Sequence, residues 1–207
     1  MTPDFAELCG LHAGDGTIYR TARSVVWELR GNLDEREFYE EHIIPLLARI
    51  GFVVTGHFRS GGKNGCYGVR CCKNKFIKLL TDAGFAIGKK TRSVHIPEDI
   101  MEGSQELKEA FIRGLFAADG SMYVDGRNYP LIEFASASQR LRDEVVLLLQ
   151  QFGIKPYTWK YTPKQRGGPA YFLRLCGREK LQLFCSRIGL LNPKHRLRAA
   201  PFLERNV

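Results

Sequence analysis

Leu8-Cys9-Gly10-Leu11-His12-Ala13-Gly14-Asp15-Gly16, near the start of the chain, returns just past its middle as Ile112-Arg113-Gly114-Leu115-Phe116-Ala117-Ala118-Asp119-Gly120. Each copy is an apolar helical run with small residues four apart, ending in Asp-Gly. A hydroxyl residue, an apolar residue and a tyrosine follow in both: Thr17-Ile18-Tyr19 and Ser121-Met122-Tyr123. Gly10 to Gly114 and Asp15 to Asp119 share one offset. Residues four apart lie on one helix face, so Gly10 and Gly14 against Gly114 and Ala118 predict two helices whose backbones approach closely. Their ends would then bring Asp15 and Asp119 together.

That placement needs a reason. A carboxylate at a helix C-terminus meets the negative end of the dipole, at a cost of roughly 0.3–1 kcal/mol. Two carboxylates ~4 Å apart repel by about 4 kcal/mol at an effective dielectric near 20. A hard divalent cation reverses the sign, because Mg²⁺ takes carboxylate, carbonyl and water oxygens. Asp-Gly once is a turn; matched in both copies, it points to a site.

The rest of the chain repeats as well. Thr2-Pro3-Asp4 reads as a helix start. After the first motif come a strand near Thr17–Ala22 and its partner near Ser24–Arg30, broken at Gly31-Asn32. A helix over 34–50 carries Pro45, which predicts a kink or two pieces. A second strand pair, Phe52–Arg59 and Cys66–Lys73, precedes a helix near 75–83 that closes at Gly84. This half reads αββαββα. In the second half Leu131–Phe134 answers Val26–Leu29, the helix over 142–151 answers the first half's middle helix, and Tyr171–Cys176 answers Tyr67–Cys72. Gly189 answers Gly84, and Lys194 falls where Lys89 does. Such order implies duplication of a unit. The divisions expected are 1–97, a linker over 98–103, and 104–207, with the halves packed as pseudo-twofold partners.

Composition bounds the function. Thirty-one Lys and Arg against 22 Asp and Glu give +9, which favours a polyanion, nucleic acid before membrane. The charge is uneven: residues 155–207 carry 12 basic and two acidic side chains. No apolar run approaches the ~20 residues that span a bilayer. The start of the chain has no signal-peptide pattern, so a cytoplasmic protein without a membrane partner is expected. The six cysteines form no CxxC pair, which argues against structural zinc. Ser60 to Gly65 lacks P-loop spacing and reads as a hairpin tip.

The two stretches resemble the signature of LAGLIDADG homing endonucleases, and through the repeat the resemblance covers nearly the whole chain. The two-motif, single-chain layout is similar to monomeric members, including those encoded in archaeal introns. The resemblance implies an α+β fold: a tandem pseudo-twofold duplication of αββαββα, whose two antiparallel four-stranded sheets form a DNA-binding saddle. It implies that Asp15 and Asp119 bind the catalytic metals, Mg²⁺ or another divalent cation such as Mn²⁺, helped by the carbonyls of Gly14 and Ala118. The reaction would be hydrolysis of double-stranded DNA, one cut per strand, at a long asymmetric site.

The repeat nominates Lys89 and Lys194 as basic groups near the scissile phosphates. Asn32 and Gln139, where strands pass into helices, are candidates for positioning water. A β-ribbon can read the major groove. Strand parity sets Arg70 and Arg174 opposite the apolar Val69 and Leu173, and similar logic proposes Glu28, Arg30 and Glu133. Arg20, Arg23, Arg59, Lys63, Lys73, Arg127, Lys160, Lys164 and Arg166 complete the expected DNA-contacting set. Two rival readings are an RNA-binding maturase acting on intron RNA and a cleavage-deficient DNA-binding protein. Intact acids argue against the latter. An intein is disfavoured, because the terminal residues lack the splicing nucleophile and His-Asn.

Overall fold

The computed structural model describes residues 1–60, 65–163 and 168–203. Contacts divide it into two compact units, Met1–Lys90 with Pro97–Ala118, and Thr91–Ile96 with Asp119–Val207. The architecture is α+β, with one four-stranded antiparallel sheet in each unit.

The first unit opens with α1 (Pro3–Gly14), whose N-cap Thr2 side chain accepts from the Phe5 amide and whose first turn holds Pro3. Residues 5–13 of α1 are all buried. A helix buried on every side, Glu7 and His12 included, belongs inside a core. Strands β1 (Gly16–Arg20) and β2 (Val25–Asn32) follow. Strand β2 runs through Gly31 and Asn32, where the sequence suggested a break. A Cβ on Gly31 would meet the Glu35 carboxylate and the Tyr39 ring, side chains that would have to shift to admit it.

The middle helical stretch is in pieces, as Pro45 requires. A 3-10 turn (Leu33–Glu35) leads to α2 (Arg36–Phe38), a π turn (Tyr39–Ile43) and α3 (Ile44–Arg49). Proline has no N–H to donate into the preceding turn, and it sits here at the start of α3. Strands β3 (Gly56–Arg59) and β4 (Cys66–Cys71) and helix α4 (Asn74–Asp82) complete αββαββα. Sheet order is β1-β2-β4-β3. Trp27, Leu29, Val69 and Phe76 lie in the core beneath it. Helix α5 (Glu98–Met101) and α6 (Gln105–Ala118) also pack in this unit.

The packing units therefore differ from the halves of the repeat. By sequence α6 opens the second copy, yet it packs on α1. The second unit holds β5 (Gly120–Val124), β6 (Pro130–Ser136), α7 (Gln139–Gln151), β7 (Tyr157–Tyr161), β8 (Ala170–Cys176) and α8 (Arg178–Arg187). Its sheet order, β5-β6-β8-β7, repeats that of the first. Glu28 pairs with Arg70 across β2 and β4, and Glu133 with Arg174 across β6 and β8, so the two registers agree. Gly84 and Gly189 close α4 and α8 with φ of 96° and 88°. That conformation suits glycine alone at low cost.

Helix α9 (Pro193–Leu203) follows α8 and is an addition that the sequence repeat did not announce. Arg198 of α9 donates to the Met122 carbonyl of β5 at 3.0 Å. All six cysteines are free thiols. Among the described residues no helix is long and apolar enough to cross a membrane.

Candidate active site and nucleic-acid face

The seam between α1 and α6 positions the site. A Cβ on Gly10 would overlap the Phe111 carbonyl oxygen and come 2.7 Å from the Leu115 nitrogen. A Cβ on Gly114 would overlap the Glu7 carbonyl oxygen and come 3.0 Å from the Leu11 nitrogen. Both obstacles are backbone, which cannot swing away. The glycines recognised in the sequence thus set the helix spacing. Beside them, buried Glu7 accepts from Arg113 Nε at 2.7 Å and lies 2.7 Å from His42 Nε2. Burial alone would raise the Glu7 carboxyl; hydrogen bonds from His42 and Arg113 outweigh it and hold the group below its ordinary range.

Asp15 caps the C-terminal end of α1 and is exposed. The dipole penalty of an acid there is met locally. Lys90 Nζ donates to the carbonyls of His12, Ala13 and Gly14 at 2.6, 2.5 and 2.6 Å. Cationic charge at the negative helix end is stabilising. The sequence nominated Lys89, which lies exposed one residue earlier. Lys90 is the lysine at this helix end.

His12, one turn before Asp15, is fully buried. Its Nδ1 accepts from Trp27 Nε1 at 3.1 Å, which leaves the proton of the neutral ring on Nε2. Nε2 is buried without a hydrogen-bond partner, and the imidazole meets Phe85 edge to face at 4.4 Å. Burial, reinforced by the Lys90 charge, lowers its pKa to about 3, so the ring is neutral at any ordinary pH. Gly16 is bare because a Cβ would strike this imidazole.

A small cleft lies beside Asp15, lined by Leu11, Leu29, Glu35, Tyr39, Ala117 and Ala118 among others. Burial and the charges of Asp15 and Glu35 push the Tyr39 phenol well up. Glu35 accepts from the Asn32 amide at 3.0 Å. The carboxylates that line it, of Asp15 and Glu35, are hard oxygen donors, and the Gly14 carbonyl, next to Asp15 in sequence, keeps a lone pair beyond the one Lys90 uses. Among the described residues no three His, Cys, Asp or Glu gather into a ready cage. That set suits Mg²⁺ or Mn²⁺, ions that keep several waters, better than a fully protein-ligated metal. Ala118 ends α6, and Asp119, exposed, follows it directly. Glu35 and Lys90 had no signal beyond their proximity in sequence to Asn32 and Lys89.

The two sheets carry several of the residues nominated for DNA contact. On the first, Arg30, Arg70, Arg59 and His57 surround Gly68 in a shallow depression. Arg30 holds buried Glu28 with two hydrogen bonds, 2.8 and 3.1 Å, and Arg70 stands 3.7 Å from the same carboxylate. Glu28 thus orients arginines and lies beneath them rather than facing outward as expected. Arg20, Arg23 and Lys73 are exposed on the same unit. On the second sheet Arg174 Nε donates to Glu133 at 2.7 Å, and Tyr123 donates to it at 3.1 Å.

Arg127 is exposed in the β5–β6 turn. Lys160 departs from expectation: it pairs with Tyr171, so parity puts it on the face opposite Arg174, 5.7 Å over the Tyr171 ring. Gln139 is exposed in the first turn of α7, and Lys194 is half-buried in α9. Lys63, Lys164 and Arg166 lie outside the described residues.

Residues 106–189 match the model of a LAGLIDADG-like domain. The fold is that of solved homing endonucleases. The structure of I-DmoI in complex with DNA and Ca matches with a TM-score of 0.65 and 18% identity, over 94% of this chain and 96% of that one. The structure of I-WcaI bound to its DNA recognition sequence matches with a TM-score of 0.62 and 14% identity, over 99% and 87%. In sequence the chain is 30% identical over 204 residues to a tRNA-splicing ligase RtcB of Methanopyrus kandleri, covering 89% of this chain and 20% of that protein. It is 35% identical over 194 residues to a probable translation initiation factor IF-2 of Thermococcus kodakarensis, covering 89% and 14%. The chain thus spans a fifth or less of these relatives, whose names differ.

Proposed function

We propose that this protein is a site-specific homing endonuclease, a monomer that makes one cut in each strand of a long asymmetric DNA target. The observation that carries the reading is the duplicated acid, Asp15 and Asp119, each at the end of a helix of the glycine seam. Solved proteins of the same fold were captured with DNA and Mn or Ca. The recurrence of one segment within proteins as different as a ligase and an initiation factor supports a mobile element lodged in unrelated genes. Neither ligation nor initiation is carried over, because a fifth or less of each relative is shared.

In this reading Asp15 and Asp119 hold Mg²⁺ or Mn²⁺, with the carbonyls of Gly14 and Ala118 beside them. A divalent cation supplies a lowered pKa for the attacking water and charge stabilisation for the leaving oxygen. Glu35 would accept a hydrogen bond from a water in the cleft it shares with Asp15. All three Nζ hydrogens of Lys90 are committed to α1, so it acts as a fixed positive charge beside Asp15 rather than as a proton donor. Lys194 is the corresponding cation of the second copy. Arg30, Arg59, Arg70 and Arg174 meet base edges and phosphates of the duplex; guanine is the natural partner of a bidentate arginine. The protein acts in the cytoplasm.

Incubation with a plasmid library of randomised inserts tests this. Mg²⁺ is expected to linearise the members that carry a target, leaving short cohesive ends, and chelation to stop it. Cutting that persists in chelator, or spreads without sequence preference, contradicts the reading.

A further inference from the structure

One wall of the Asp15 cleft is built on irregular backbone. Phe38, Tyr39 and Ile43 line the cleft with Asp15 and Glu35. All three lie in or beside the π turn (Tyr39–Ile43), where the Ile44 amide donates to the Tyr39 carbonyl five residues back. The wider turn rotates the residues before it relative to those after it, and such turns gather at functional sites. Phe38 and Tyr39, adjacent in sequence, are both buried here.

The π turn is held from α1. His42, inside the turn, brings Nε2 to 2.7 Å from Glu7 Oε1. Glu7 is ionised at ordinary pH and can only accept, so the imidazole donates. The same ring stacks on Phe38, with centroids 5.5 Å apart and planes 8° from parallel. The other Glu7 oxygen accepts from Arg113 of α6, beside the bare Gly114 of the seam. Glu7 lies about two turns before the end of the helix that Asp15 caps. One buried carboxylate on α1 therefore anchors both the acid's helix and the wall that faces the acid. Stability is a weak reason for it, because a buried ionic cluster must offset the desolvation of its charges and apolar residues often serve as well. The second copy does without one: Phe111 stands in α6 where Glu7 stands in α1, and α7 is α-helical throughout and holds no histidine.

We propose that His42 is a positioning residue: through Glu7 it locks the π turn, holds the Phe38–Tyr39 wall against Asp15, and so sets the rate of one strand's cut and not the other's. This rests on the cleavage reading above. His42 touches neither substrate nor metal; it acts through the wall. The asymmetry follows because the cluster belongs to the first copy alone.

Single-turnover cleavage in Mg²⁺ of a duplex whose strands carry different labels tests it, the duplex being an insert that the parent linearises. His42→Leu removes the donor and keeps an apolar body against Phe38; its melting temperature and duplex affinity serve as controls. It is expected to slow one strand's cut by about tenfold and to leave the other within about twofold, so that nicked duplex accumulates. Glu7→Gln, nearly isosteric, weakens the same bond from its other side and should shift the strand ratio in the same direction. His42→Gln keeps a donor for Glu7 without the ring and should restore both cuts. Equal slowing of both strands, an unmoved strand ratio in both His42→Leu and Glu7→Gln, or no recovery with His42→Gln would each overturn the inference and leave the cleavage reading standing. A parent that cuts no insert would overturn both.

Discussion

The ends of α1 and α6 are two copies of one idea, and they differ at a single informative position. His12 stands in the first where Phe116 stands in the second, both buried one turn before the acid. The acid, the glycine of the seam and the following strand are shared. The residue beneath them changed from an apolar ring to a polar one that required Trp27, Phe85 and a bare Gly16 around it. The sheets show the same division: common register and buried residues, with arginines around Gly68 on one open face and aromatics on the other. Duplication preserved the seam and its two acids; divergence rewrote what surrounds them.

The largest effect should come from the shared part. Gly10→Val and Gly114→Val each drive a side chain into backbone of the facing helix, and each is expected to cost ~3 kcal/mol or more. Urea unfolding measures it. A cost well under 1 kcal/mol in either would mean that the seam is slack and the two copies are not equivalent.

The diverged position is sharpened by His12→Phe, which installs the residue of the second copy. A base whose folded pKa is lowered to about 3 stabilises the protein fully above its unfolded value of 6.5, and that stability is lost as pH falls between the two. The parent should therefore lose up to about 1.4 kcal/mol per pH unit from this residue below pH 6. The variant should lack that slope. The Glu7 carboxyl, lowered in the fold, adds its own loss at more acid pH as it protonates, and should do so in both proteins.

Smaller still is the comparison of neighbours at the α1 end. Lys90→Met should destabilise by ~1 kcal/mol, the worth of a charge on a helix terminus, and Lys89→Met by almost nothing. Thermal melting separates them. Equal effects would return the assignment to Lys89.

These cases also mark what the sequence could tell. Paired motifs, alternation along strands and punctuating glycines are local or periodic signals, so both sheets, the acids and the α1–α6 seam were legible. Lys90 was missed because the offset between copies lengthens by one residue before Gly189; carried forward from Gly84 and Gly189 it pairs Lys194 with Lys89, whereas the offset of the two motifs pairs it with Lys90. The Glu7–His42–Arg113 cluster joins residues from three distant segments. No periodicity encodes such a meeting. Lys160 was assigned by charge without parity, and parity places it on the far face. Helix α9 had no counterpart in the first copy to announce it.

The central claim is that the two acids cut while the sheets bind. It is tested most directly by measuring binding and cleavage on the same target with Asp15→Asn and Asp119→Asn. Each variant is expected to keep duplex affinity within a few-fold, with the parent's salt slope of about −0.9 per neutralised phosphate, and to make no double-strand break. Normal cleavage by both variants would contradict the account.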